Sequence, residues 1–237
     1  MKNLDLTLYF ITDSTYENQT ETDFLETVKQ ACEGGVTLVQ LREKNKDGLA
    51  YLELARKVKQ ITDGYNIPLI IDDRVDIAMA VDAAGVHLGK SDIPVSVARR
   101  LLGENKIIGA TAKTVEQAKR AKSEGADYLG VGAIYPTTTK VVTIITEVST
   151  LNAISEEINL PIVAIGGLNG TNMQVLYDSM ANGVAVVSAI MKSETPSETA
   201  KSLKKQVEEN FKNLSGRTSL KGAAVPERNG LSYGQSN

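Results

Sequence analysis

The chain is short of several things that would announce a function class. One cysteine, Cys32, stands alone among 237 residues, so no internal disulfide can form, and its helical setting reads as packing rather than catalysis. One histidine, His87, adds too little to Cys32 for a structural zinc site. Tryptophan is absent, and three phenylalanines and eight tyrosines are scattered, which gives no stacking platform for a nucleic acid. Excess basic charge is missing too: 26 Lys and Arg face 29 Asp and Glu, for a formal net charge of -3. No long basic run offsets that balance, so a nucleic-acid partner is not expected. No apolar run reaches membrane-spanning length, and the opening Met-Lys-Asn-Leu-Asp lacks a signal-peptide core; a cytoplasmic protein without a membrane partner is expected.

What is present is a rhythm. Short apolar runs at residues 8–12, 37–41, 68–72, 85–88, 106–110, 128–132, 161–165 and 183–188 are continuous rather than alternating, as in strands covered on both faces. Amphipathic pieces at 24–33, 48–62, 115–123 and 173–181 lie between them. Glycines at Gly34-Gly35, Gly125 and Gly183 follow the helices, where a left-handed residue closes a helix end. Eight strand–helix alternations at this length predict an α/β fold, a (β/α)8 TIM barrel in one domain over residues 1–212, with a doubly wound sheet as the alternative. Residues 213–237 turn to Gly, Ser, Asn, Pro and charge without apolar periodicity, which reads as a disordered tail.

Parallel barrels carry their chemistry where strands end. The second run ends Gln40-Leu41-Arg42-Glu43-Lys44; alternation puts Gln40, Arg42 and Lys44 on one face and Leu41 and Glu43 on the other. Two inward cations are costly without an anion, which points to a phosphate or diphosphate. The third run ends Asp72-Asp73-Arg74 and the fourth is followed by Gly89-Lys90-Ser91-Asp92. Asp73 and Asp92 suit half a Mg²⁺ site completed by a diphosphate, or else a salt bridge and a helix cap. Thr111, after the fifth run, is a hydroxyl donor or a cap. The sixth run breaks at Pro136 into Thr137, Thr138, Thr139 and Lys140, either a solvated turn or a loop of donors for an oxyanion. Gly166-Gly167 after the seventh run and Val187-Ser188 after the eighth suit a monophosphate held by backbone amides. His87, between Val86 and Leu88, reads as a hydrogen-bonded core residue rather than a general base.

Assembled, these strand ends resemble the thiamine phosphate synthase (thiamine-phosphate pyrophosphorylase) family over nearly the whole chain apart from the tail. The resemblance rests on Gln40 to Lys44, Asp73-Arg74-Val75-Asp76, Gly85 to Gly89 with Asp92, Tyr128 to Gly132, Pro136 to Lys140 and Ile165-Gly166-Gly167. It implies a barrel transferase that joins 4-amino-5-hydroxymethyl-2-methylpyrimidine diphosphate to 4-methyl-5-(2-phosphonooxyethyl)thiazole, with Mg²⁺ as cofactor and release of diphosphate. Matched position by position, Gln40, Arg42, Lys44, Asp72, Thr111 and Lys140 face the pyrimidine diphosphate, with Arg42, Lys44 and Lys140 offsetting the charge of the leaving group. Asp73 and Asp92 match the metal ligands, and Thr137, Thr139, Gly167, Val187 and Ser188 match the thiazole phosphate site. Asp72 stands where the family usually has Asn, which adds negative charge beside the metal aspartate. The implied route is dissociative, needing charge stabilisation more than a base. A thiazole tautomerase-like isomerase and a non-catalytic phosphate-binding regulator remain as other readings, and the sequence leaves monomer and homo-oligomer open.

Overall fold

Eight strands that each bury both faces can leave no sheet edge, and they leave none. In the computed structural model, which describes residues 4–16, 19–136 and 145–212, the strands close into an all-parallel barrel in sequence order. The strands are β1 (Leu8–Ile11), β2 (Leu38–Leu41), β3 (Leu69–Asp72), β4 (Gly85–Leu88), β5 (Ile107–Ala112), β6 (Tyr128–Gly132), β7 (Ile162–Ile165) and β8 (Gly183–Val186). The doubly wound alternative is therefore excluded, because β1 pairs with β8 as well as β2, Phe10 lying beside Val186 and Val39. No helix among the described residues is long and apolar enough to cross a membrane.

Strand parity builds two cores. Leu38, Ile70, Ile107, Tyr128, Val163 and Ala185 fill the barrel interior with Tyr9, while Leu8, Phe10, Val39, Ile71 and Val86 face the helices. Both faces are apolar, so the runs read as continuous. The helices are α1 (Glu21–Glu33), α2 (Gly48–Gly64), α3 (Val75–Ala80), α4 (Val95–Leu102), α5 (Val115–Ser123), α6 (Val148–Glu157), α7 (Ser188–Met191) and α8 (Pro196–Asn210). Helix α1 buries Phe24, Val28, Ala31 and Cys32, one face at helical spacing. Burial there pushes the Cys32 thiol up to about 12, which keeps it protonated. Thr20, Asp47 and Thr114 accept from backbone amides at the starts of α1, α2 and α5, each cap contributing about 1 kcal/mol.

Two sequence expectations change. The helix expected over 173–181 shrinks to a single tight turn, Met173–Leu176, beyond which the Ser179 amide and hydroxyl both donate to the Leu176 carbonyl, at 2.9 and 2.7 Å. Gly35 and Gly125 do adopt positive φ, at 86° and 99°. Gly183 does not; it opens β8, where a Cβ would sit 1.8 Å from the Leu6 carbonyl oxygen, so close backbone approach selects glycine there.

Candidate active site

The barrel's C-terminal mouth holds a cavity of about 400 Å³. Its β2 side is built as parity requires. Gln40, Arg42 and Lys44 all line the cavity, while Glu43 is turned away and accepts from the Ser14 hydroxyl at 2.6 Å. Burial raises the Glu43 pKa against that hydrogen bond. Gln40 is only 2% exposed and donates to the Tyr9 hydroxyl at 2.7 Å. The Arg42 guanidinium lies 3.9 Å from Asp72 and 3.8 Å from Asp13, held over the cavity floor by two carboxylates rather than extended to solvent.

Next to it, Lys44 bridges Asp72 and Asp73. The Asp72 contact, at 2.7 Å, is a charge contact rather than an aligned hydrogen bond, since that buried oxygen has no partner of hydrogen-bond geometry. Burial raises the Asp72 pKa more than Lys44 and Arg42 lower it. Lys44 moves upward because the two carboxylates outweigh its own desolvation. Asp73 has φ 62°, a left-handed conformation that aspartate tolerates better than most residues. Its amide donates to the His87 carbonyl at 2.9 Å, and its carboxylate lies beside that of Asp92 across the β3–β4 gap. Desolvation pushes Asp73 up, but Lys44 and Asp92 hold it below the ordinary value. Asp92 moves the other way, raised by burial and by Asp73.

Two open alternatives resolve here. Asp92 is no helix cap: it accepts from Gly89 N at 2.6 Å inside the β4 loop, and Pro94 is the residue that precedes α4, which has no side-chain cap. Thr114 rather than Thr111 caps α5, which leaves Thr111 in the cavity, 3.0 Å from His87 Nε2.

The β7–β8 side is made of backbone. Gly166 and Gly167 have φ 106° and 64°, and a Cβ on Gly167 would lie 2.7 Å from the Pro136 carbonyl oxygen. Asn172 pins this turn by donating to Gly167 O at 2.8 Å while accepting from Asn169 N at 2.8 Å. Val187 and Ser188 face the same cavity where α7 begins. Thr137, Thr139 and Lys140, expected to complete both sides, lie outside the described residues.

A family profile described as thiamine monophosphate synthase matches residues 8–190. The chain belongs to the thiamine monophosphate synthase family. Its role is the family's, a transferase in thiamine biosynthesis. The chain is similar to the thiamine-phosphate synthase of Clostridium tetani, 49% identical over 81% of this chain and 91% of that one. It is also similar to thiamine-phosphate synthase 2 of Streptococcus pneumoniae, 53% identical over 80% of this chain and 89% of its relative. Among solved structures, the thiamine phosphate pyrophosphorylase of Pyrococcus furiosus superposes with a TM-score of 0.78 at 38% identity, covering 86% of this chain and 96% of that one.

Within this thiamine monophosphate synthase cavity stand residues that sequence reasoning passed over: Tyr9, Lys90 and Lys113 also line it. Lys113 donates to the Gly132 carbonyl at 2.7 Å, tying the end of β5 to the end of β6. Parity could have found it, two residues beyond Thr111, but the strand-end reading stopped at the hydroxyl. Tyr9 carried no signal, being one apolar residue in an apolar run. His87 is hydrogen-bonded as expected, to Tyr128 at 3.1 Å and Thr111 at 3.0 Å, yet it lines the cavity as well.

Proposed function

We propose that the chain joins 4-amino-5-hydroxymethyl-2-methylpyrimidine diphosphate to 4-methyl-5-(2-phosphonooxyethyl)thiazole, forming thiamine phosphate and releasing diphosphate. The observation that carries this reading is the division of one cavity between a charged side at β2–β4 and a glycine-and-amide side at β7–β8. A diphosphate needs dense positive charge at its departure, whereas a monophosphate that only anchors a nucleophile is served by backbone amides.

Asp73 and Asp92 suit a magnesium ion. The two carboxylates lie close enough that each shifts the other's pKa, Asp73 downward and Asp92 upward, a juxtaposition of negative charge that a divalent cation would relieve. No group of three or more His, Cys, Asp or Glu able to hold a metal occurs among the described residues, and magnesium characteristically takes its remaining oxygens from water and substrate phosphate. When bound, the ion would offset the charge that grows on the departing diphosphate. Arg42 and Lys44 do the same work from the protein side, and Lys140 is assigned with them. Loss of diphosphate before attack by the thiazole nitrogen requires no strong base. His87 fits that requirement, since both ring nitrogens already have hydrogen-bond partners.

The test is direct. Diphosphate release and thiamine phosphate formation are followed with both substrates, with each alone, and with EDTA in place of Mg²⁺. Product is expected only when both substrates and the metal are present. Absence of turnover with all three would overturn the reading, and interconversion of thiazole tautomers without diphosphate release would replace it with the isomerase.

A further inference from the structure

At the base of the cavity runs a line of side chains from five strands, whose middle members Tyr9, Tyr128 and His87 the proposed chemistry does not use. Gln40 Nε2 donates to the Tyr9 oxygen at 2.7 Å, the Tyr9 and Tyr128 oxygens are 2.9 Å apart, Tyr128 reaches His87 Nδ1 at 3.1 Å, and His87 Nε2 reaches Thr111 Oγ1 at 3.0 Å. Both tyrosines are at most 1% exposed. The backbone makes room for the central link: a Cβ on Gly109 would lie 2.1 Å from Tyr128 Cζ and 2.5 Å from His87 Nδ1. Residue 109 therefore has to be glycine for this pair to meet.

The line has a direction. Tyr9 accepts from the Gln40 amide, so its own proton is available to a second partner, and the Tyr128 oxygen is the one within 2.9 Å. Tyr128 in turn gives its proton to His87 Nδ1, because a buried hydroxyl left without an acceptor is costly. An accepting Nδ1 puts the ring proton on Nε2, where it is donated to Thr111. The Thr111 oxygen is thereby engaged as an acceptor, and its proton is left to point into the cavity that Thr111 lines.

We propose that Gln40, Tyr9, Tyr128 and His87 form a one-way hydrogen-bond chain that holds the Thr111 hydroxyl as a proton donor to an acceptor atom of the pyrimidine diphosphate. Tyr128 and His87 are thus positioning residues that act through Thr111. The inference rests on the substrate assignment made above, and two measurements separate them.

The first needs no substrate. His87 is the only histidine in the chain, so imidazole nitrogen NMR of the untagged protein reports its tautomer without assignment. The wild type is expected to carry the proton on Nε2, and Tyr128→Phe is expected to lose that fixed preference; a ring protonated on Nδ1 in the wild type overturns the polarity. The second is a double-mutant cycle of Tyr128→Phe and Thr111→Val. Each single change should raise the KM for the pyrimidine diphosphate about fivefold to tenfold, the loss of one neutral hydrogen bond, with the thiazole phosphate KM unchanged within twofold. The double variant should be no worse than Thr111→Val alone. Multiplying effects, or equal shifts in both KM values, would show that Tyr128 acts only on the fold. If Tyr128→Phe fails to fold, Tyr9→Phe, one link further from Thr111, enters the same cycle with the same outcomes. A wild type that does not turn over the named substrates sinks the functional reading and the ligand named here. A wild type that turns them over with an Nδ1-protonated ring sinks the chain's polarity alone.

Discussion

The two sides of the barrel mouth are made from different parts of the polypeptide. Strands β2 to β4 end in side chains: Arg42, Lys44, Asp72, Asp73 and, in the following loop, Asp92. Strands β7 and β8 end in main chain, a Gly166-Gly167 turn at positive φ and the start of a four-residue helix at Ser188. Charged side chains with a hard cation can follow a group whose charge grows as it leaves, and they are lost one truncation at a time. Main-chain amides hold an anion whose charge does not change, and they are damaged by adding atoms rather than removing them. The two sides should therefore fail under opposite kinds of mutation.

The largest effect is expected from Arg42→Ala. Removing one member of a largely desolvated charge cluster costs about 2–5 kcal/mol, so kcat/KM for the pyrimidine diphosphate should fall about thirtyfold or more while the thiazole phosphate KM changes little. A matching rise in the thiazole phosphate KM would erase the distinction between the sides. Gly167→Ala tests the other side by addition. At φ 64°, with a Cβ only 2.7 Å from Pro136 O, the turn must shift at a cost of about 1–2 kcal/mol. The thiazole phosphate KM should rise about tenfold with the pyrimidine diphosphate KM nearly constant, and steady-state kinetics with each substrate varied in turn decides it.

Asp72→Asn sharpens the charged side. Lys44 lies between Asp72 and Asp73, and neutralising Asp72 leaves more of its charge for the diphosphate. The pyrimidine diphosphate KM should fall about fivefold, near 1 kcal/mol for a contact to a partly exposed lysine. A rise would mean that Asp72 holds Lys44 in place rather than competing with the substrate for it. The smallest effect is expected away from the mouth, at Cys32. With its thiol pushed up to about 12 by burial in α1, a maleimide at pH 8 should leave the folded enzyme unmodified and fully active, and should label it only in denaturant. Rapid labelling of the native protein would show that α1 opens from the barrel.

Most of the charged side was legible because parity within one strand is a local rule. Gln40, Arg42 and Lys44 are two residues apart, and alternation alone puts them on one face. Gly167 was legible for a similar reason, as a glycine pair directly after a strand. The tyrosine–histidine line was not. Tyr9 and Tyr128 are 119 positions apart in the chain, and nothing in either run distinguishes an inward phenol from an inward leucine. Nor did Gly109 announce itself, since its value lies in the absence of a Cβ against Tyr128 and His87. The failed helix over 173–181 marks the same boundary: apolar spacing favoured a helix, and the chain makes only one tight turn before Ser179 folds back on the Leu176 carbonyl.

By itself the sequence determined eight buried strands alternating with helices, their ends and the residue types gathered there, because burial on both faces and alternation along a strand act over a few neighbouring residues. Tertiary closure alone decided which of those ends meet across the mouth. Asp73 is brought beside Asp92, Lys44 is held between two carboxylates, and one hydrogen-bond line joins Gln40 to Thr111. Such pairings depend on barrel register, which places β3 beside β4 and seats Tyr128 opposite Gly109, and register is a property of all eight strands together.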